Sequence, residues 1–153
     1  MREQWHDLAS REDTTELGRG LAGRLRAGDV VLLTGELGAG KTTLTQGLGE
    51  GLGVRGPITS PTFVIARVHP SLVGGPALVH ADAYRLAGAF ELDDLDLEAS
   101  LEESVTVVEW GHGLAEELAD SYLEVELFRA VGDEDRTPRR ARITGHGPRW
   151  QGD

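Results

Sequence analysis

Two glycines five residues apart, followed at once by lysine and threonine, constrain this chain more than any other feature: Gly35-Glu36-Leu37-Gly38-Ala39-Gly40-Lys41-Thr42. In this spacing the backbone folds so that successive amides point inward at phosphate oxygens, and the helix that follows offers its positive N-terminal end to the same anion. The amides of Glu36, Leu37, Gly38, Ala39, Gly40, Lys41, Thr42 and Thr43 are the expected cradle. The Lys41 ammonium reaches the β and γ phosphates, and the Thr42 hydroxyl is placed to ligate Mg²⁺. A glycine-rich turn could produce the pattern by accident, since the chain has 21 glycines. Lys41, however, is the only lysine among 15 basic residues. With this composition, glycines one and six places before it and a hydroxyl residue after it would coincide by chance about once in five hundred. An arginine-biased chain has kept a compact point charge where the phosphates need one.

The flanking sequence supplies the strand and helix such a loop requires. Residues 5–8 suit a short edge strand. Asp13 or Thr14 offers an N-cap, and Leu17, Leu21 and Leu25 then recur at helical spacing until the turn at Ala27-Gly28-Asp29. A buried-type strand over 30–34 runs into the loop. The second helix is expected over 42–48, ended by Gly49, Gly51 and Gly53. Residues 55–61 read as loop, 62–68 as a strand, 74–76 as a turn and 77–81 as another strand. Short helices are expected in the acidic stretch and over 114–118, and a strand over 105–108 ends in Glu109. Residues 122–128 alternate as a half-buried strand that 140–144 can pair with. Together these elements predict an α/β fold, a P-loop NTPase-like three-layer sandwich with a parallel central sheet and antiparallel edge strands. A single domain over 1–153 is expected, with 136–153 its basic C-terminal strand and tail.

Composition narrows the function. A formal net charge of −11 would repel a phosphate backbone over most of the surface. The Arg136, Arg139, Arg140, Arg142 and Arg149 group is a local exception. The opposite extreme is 91–103, with seven acids and no base, which reads as a solvated face. Without cysteine there is no disulfide framework, thiolate metal site or cysteine nucleophile. No apolar run reaches the length of a membrane span and no signal peptide is recognisable, so a cytoplasmic address is expected. Asparagine is absent, so the Asn-Lys-x-Asp element by which GTPases read guanine is excluded and ATP is the expected nucleotide.

A phosphate loop needs a carboxylate at the end of a neighbouring strand. Leu78-Val79-His80-Ala81-Asp82 and Val105-Thr106-Val107-Val108-Glu109 both end in an acid where a parallel sheet would present it beside the loop. Asp82 is assigned to the metal, directly or through water, and Glu109 to activation of the attacking water, with metal ligation open to it as well. The two roles can be exchanged. His80, two residues before Asp82 and on the same side of the strand, reads as a hydrogen-bonded strand histidine.

Four segments together resemble the TsaE family, the bacterial ATPase of the tRNA threonylcarbamoyladenosine pathway. They are the loop with Thr43 and Leu44, then Thr59-Ser60-Pro61-Thr62-Phe63, then His80-Ala81-Asp82-Ala83-Tyr84-Arg85-Leu86, and Val108-Glu109-Trp110. Their order and spacing match over roughly residues 10–145. The resemblance implies a small ATPase using ATP and Mg²⁺, which works with a threonylcarbamoyl-transferase subunit and its paralogous partner. It would support modification of adenosine 37 in tRNAs reading ANN codons, touching tRNA only through the complex. It also implies that Ser60, Pro61, Thr62 and Phe63 form a nucleotide-sensing switch, that Glu109 supports hydrolysis, and that the Trp110 indole lies near the nucleotide. Tyr84 and Arg85 become candidates for partner contact. The family usually continues Glu-Trp with Pro-Glu, whereas Gly111 and His112 follow here.

Two other functions fit the same loop. A small-molecule kinase would need an acceptor pocket and an arginine-bearing lid, for which the 136–142 group is the one candidate. A binding module would use ATP only to set a conformation.

Overall fold

In a computed structural model, the structure describes residues 3–35, 41–54, 56, 66–82, 102–109, 120–128 and 139–150. In chain order the elements are β1 (Gln4–Leu8), α1 (Arg11–Ala22), β2 (Val30–Gly35), α2 (Lys41–Leu52), β3 (Ala66–His69), β4 (Ala77–Asp82), β5 (Ser104–Glu109), β6 (Tyr122–Phe128) and β7 (Arg139–His146). A 3-10 turn, Pro148–Trp150, follows β7. The strands form one sheet in the order β1-β7-β6-β2-β5-β4-β3. The four central strands, β6, β2, β5 and β4, run parallel, and β1, β7 and β3 pair antiparallel towards the edges.

The apolar runs in β2 and β5 take the middle of the sheet because they have no polar face to give to water. Val31, Leu33, Val105, Val107 and Leu78 join one hydrophobic cluster with Leu21, Leu44, Leu48 and Leu52 of the helices. On the opposite face Leu32, Val79, Ala81 and Val108 are also buried. The centre of the sheet is therefore covered on both sides. Further out, β6 alternates between buried Leu123, Val125 and Leu127 and partly exposed partners, as its sequence predicts.

The ends of α1 depart from expectation. Its N-cap is Ser10, whose Oγ accepts from the Asp13 N–H, while the Asp13 carboxylate accepts from the Ala9 N–H. Asp13 is thus the third helical residue of a reciprocal cap rather than the cap itself. Leu25 is buried beyond the last helical turn.

A larger departure is α2, which passes through Gly49 and Gly51 and ends at Leu52. The stop is Gly53, at φ +75, with the Val54 N–H donating to the Gly49 carbonyl across it. Gly18 of α1 and Gly47 of α2 serve the crossing of the two helices. A Cβ at Gly47 would lie 2.2 Å from the Thr15 carbonyl oxygen, and one at Gly18 would lie 2.4 Å from that of Leu44. Only hydrogen fits between the helices at either point.

The basic tail is also reassigned in part. Arg149 donates to Asp29 and to the Arg24 carbonyl, and its guanidinium lies 4.3 Å from the Trp150 ring centroid. Arg140 pairs with Asp7 and Arg142 with Glu126. The described arginines of this group are thus spent on acids of β1, of β6 and of the turn before β2, and β7 itself lies between β1 and β6, two positions from β2. Arg136 lies outside the described residues, as does the Arg139 side chain. No described helix is long and apolar enough to cross a membrane.

The helix crossing is testable. Gly47→Ala must push the backbones apart and is expected to destabilise the chain by about 2 kcal/mol. Gly20→Ala, where a Cβ meets nothing within 4 Å, should instead stabilise α1 by about 0.5–1 kcal/mol. Urea unfolding midpoints decide: equal midpoints for the two variants would contradict the close crossing.

Candidate functional site

Parallel strands deliver their last residues to one edge, and three of them converge here. β2 ends at Gly35, β5 at Glu109 and β4 at Asp82. Leu33 pairs with Glu109 and Asp82 pairs with Glu109, so β5 is flanked by the strand that enters the loop and by the strand carrying the second acid. Thus Glu109, rather than Asp82, lies on the strand next to the loop.

The helix α2 starts over this edge at Lys41. Its first-turn amides have no intrahelical acceptors, and no acidic side chain occupies that turn. No side chain of that turn offsets the positive end of the helix, a polarity that suits an anion. Thr42 is partly exposed beside Lys41, whereas Thr43 is buried. Thr45 turns its hydroxyl back to the Lys41 carbonyl at 2.8 Å, which removes it from the site.

Lys41 links the three elements. Its ammonium donates to the Gly35 carbonyl at 2.8 Å and lies 3.9 Å from Oε1 of Glu109. Both side chains are largely buried, 12% and 10% exposed. A single cation therefore sits between the end of the loop strand and the acid of the adjacent strand, in surroundings that strengthen its attraction to any oxyanion.

The second oxygen of Glu109 is engaged from below. Nε2 of His80 lies 2.9 Å from Oε2, and the ring is wholly buried. His80 pairs with Val107 in the β4–β5 register, so it meets Glu109 on the diagonal two residues on. The expected hydrogen-bonded strand histidine is thereby found, with a partner on β5. The sequence signal was a histidine two residues before one strand-end acid, but pairing it with the other acid requires knowing that the strands are neighbours in register.

Lys41, Thr42, Thr43 and Glu109 are therefore brought to one edge, with the backbone of Asp82 beside them. The Asp82 side chain and the loop residues Glu36, Leu37, Gly38, Ala39 and Gly40 lie outside the described residues. So do Ser60, Pro61, Thr62, Phe63, Tyr84, Arg85, Trp110, Gly111 and His112.

A profile of the family described as "Threonylcarbamoyl adenosine biosynthesis protein TsaE" matches residues 8–138. The chain belongs to the TsaE family. It is 65% identical over 136 residues to the tRNA threonylcarbamoyladenosine biosynthesis protein TsaE of Streptomyces coelicolor, covering 88% of this chain and 92% of the relative. The protein of the same name from Bacillus subtilis is 37% identical, covering 92% and 84%. A crystal structure of YdiB from Bacillus subtilis superposes with a TM-score of 0.73 at 32% identity, covering 98% of this chain and 90% of that one. The family expected from the four motifs and the α/β P-loop fold are both found.

Proposed function

We propose that this chain is a Mg²⁺-dependent ATPase that supports threonylcarbamoyl modification of adenosine 37 in tRNAs reading ANN codons, without being the transferase. The observation that carries the reading is the Lys41 ammonium at the first residue of α2, held between the Gly35 carbonyl and Glu109. Membership of the TsaE family supplies the pathway.

In this reading the 36–43 amides and Lys41 bind the phosphate tail, and Thr42 with Asp82 would hold Mg²⁺, which supplies charge neutralisation on the β and γ phosphates. The donor set suits that ion: one hydroxyl and strand-end carboxylates, all oxygen, with no thiolate in the chain. Glu109 accepts a proton from the attacking water through Oε1, the oxygen that His80 leaves unengaged. Trp110 lies by the nucleotide, and Ser60, Pro61, Thr62 and Phe63 respond to the γ phosphate. Tyr84 and Arg85 contact a transferase subunit and its paralogous partner. The kinase reading is weakened because Arg140 and Arg142, members of its one lid candidate, are fixed in β7, a strand paired on both sides, by Asp7 and Glu126.

Two outcomes are expected. Glu109→Ala should lower kcat for phosphate release at least about 100-fold while the nucleotide dissociation constant changes only a few-fold. Unchanged kcat would reject Glu109 as the base, and retained tRNA modification without hydrolysis would favour a binding module. The isolated chain should turn over slowly and faster with its partners, because a partner that closes the site around the nucleotide favours turnover. Rapid hydrolysis by the chain alone, or turnover that requires a small acceptor, would contradict the proposal.

A further inference from the structure

His80 is wholly buried and one of its ring nitrogens, Nδ1, has no hydrogen-bond partner among the described residues. A buried polar atom left unsatisfied costs free energy, so its retention needs a reason. The tautomer supplies part of it. The Glu109 carboxylate beside the Lys41 ammonium accepts, so the ring donates from Nε2. In that tautomer Nδ1 carries only a lone pair, which is cheaper to strand than an N–H.

The rest of the reason lies in Glu109. Its side chain has three rotatable bonds and two chemically equivalent oxygens, and a general base works only when one oxygen faces its water within hydrogen-bond reach. The Lys41 ammonium steers Oε1 towards the loop, but only while it is not drawn to a phosphate tail. The bond from His80 to Oε2 does not depend on the loop. It comes from a ring locked in the core at the diagonal position of the β4–β5 register. We infer that His80 is a positioning residue for hydrolysis: by donating from Nε2 to Oε2 it fixes the Glu109 rotamer and presents Oε1 to the attacking water when Lys41 engages the nucleotide. This inference rests on the proposal that Glu109 is the base.

Substitutions that return an amide to different places test it. Gln carries its terminal N–H₂ close to the position of Nε2, whereas Asn ends near Nδ1 and cannot reach Oε2. With Mg²⁺ and ATP, His80→Asn should lower kcat about 10- to 100-fold, the scale on which small misplacement of a reacting group acts. His80→Gln should stay within about threefold of the natural chain, and KM should move little in both. Glu109→Ala runs alongside as the reference. If it leaves kcat unchanged, the reading of Glu109 itself fails. If it abolishes turnover while His80→Asn matches the natural chain, the positioning role is overturned. Equal losses in the Asn and Gln variants would also overturn it, since they point to disturbed packing. A measurement on the unsubstituted chain avoids any question of folding: ¹⁵N spectra of the imidazoles should show His80 protonated at Nε2 and bare at Nδ1. The opposite tautomer would overturn the inference.

Discussion

One ammonium group, Lys41, holds together the parts of this molecule that matter for its chemistry. It stands at the first residue of α2, touches the carbonyl that ends the loop strand, and faces the acid of the next strand. Removing it would leave the buried Glu109 carboxylate without its cation. The other fourteen basic residues are arginines. Their planar forks suit carboxylates such as Glu126 on β6, which Arg142 of β7 meets and whose hydrogen bond raises the guanidinium pKa.

The rest of the fold brings that ammonium and the acid to the same place. Parallel pairing of β2 with β5 and of β5 with β4 stacks three strand ends at one edge. Helix α2 lies over that edge because Leu44, Leu48 and Leu52 join the sheet's apolar cluster. It lies closely against α1 because Gly18 and Gly47 carry no side chain at the crossing. Neither glycine touches the site, yet both set how the helix carrying Lys41 is seated against its neighbour.

Local patterns were legible in the sequence wherever one physical cause acted alone. The alternation of 122–128 reproduces β6 residue for residue, and the apolar runs before Thr34 and Glu109 are the two central strands. What the sequence hid depends on who sits next to whom. Gly49 and Gly51 read as stops because glycine is a poor helix former, but tertiary packing of α2 outweighs propensity over one or two residues. Ser10, Asp13 and Thr14 are equally good caps by residue type, and only the bonds Ser10 and Asp13 make distinguish them. The contact between His80 and Glu109 joins residues 29 apart; it is visible only once the strand order is known.

The claim on which everything turns is that this edge grips a triphosphate. Calorimetric titration of the full chain with ATP and Mg²⁺, beside the same titration of Lys41→Ala, measures it directly. Saturable heat from the natural chain and its loss or severe weakening in the variant are predicted. No heat from the natural chain, or equal binding by both, would contradict the account.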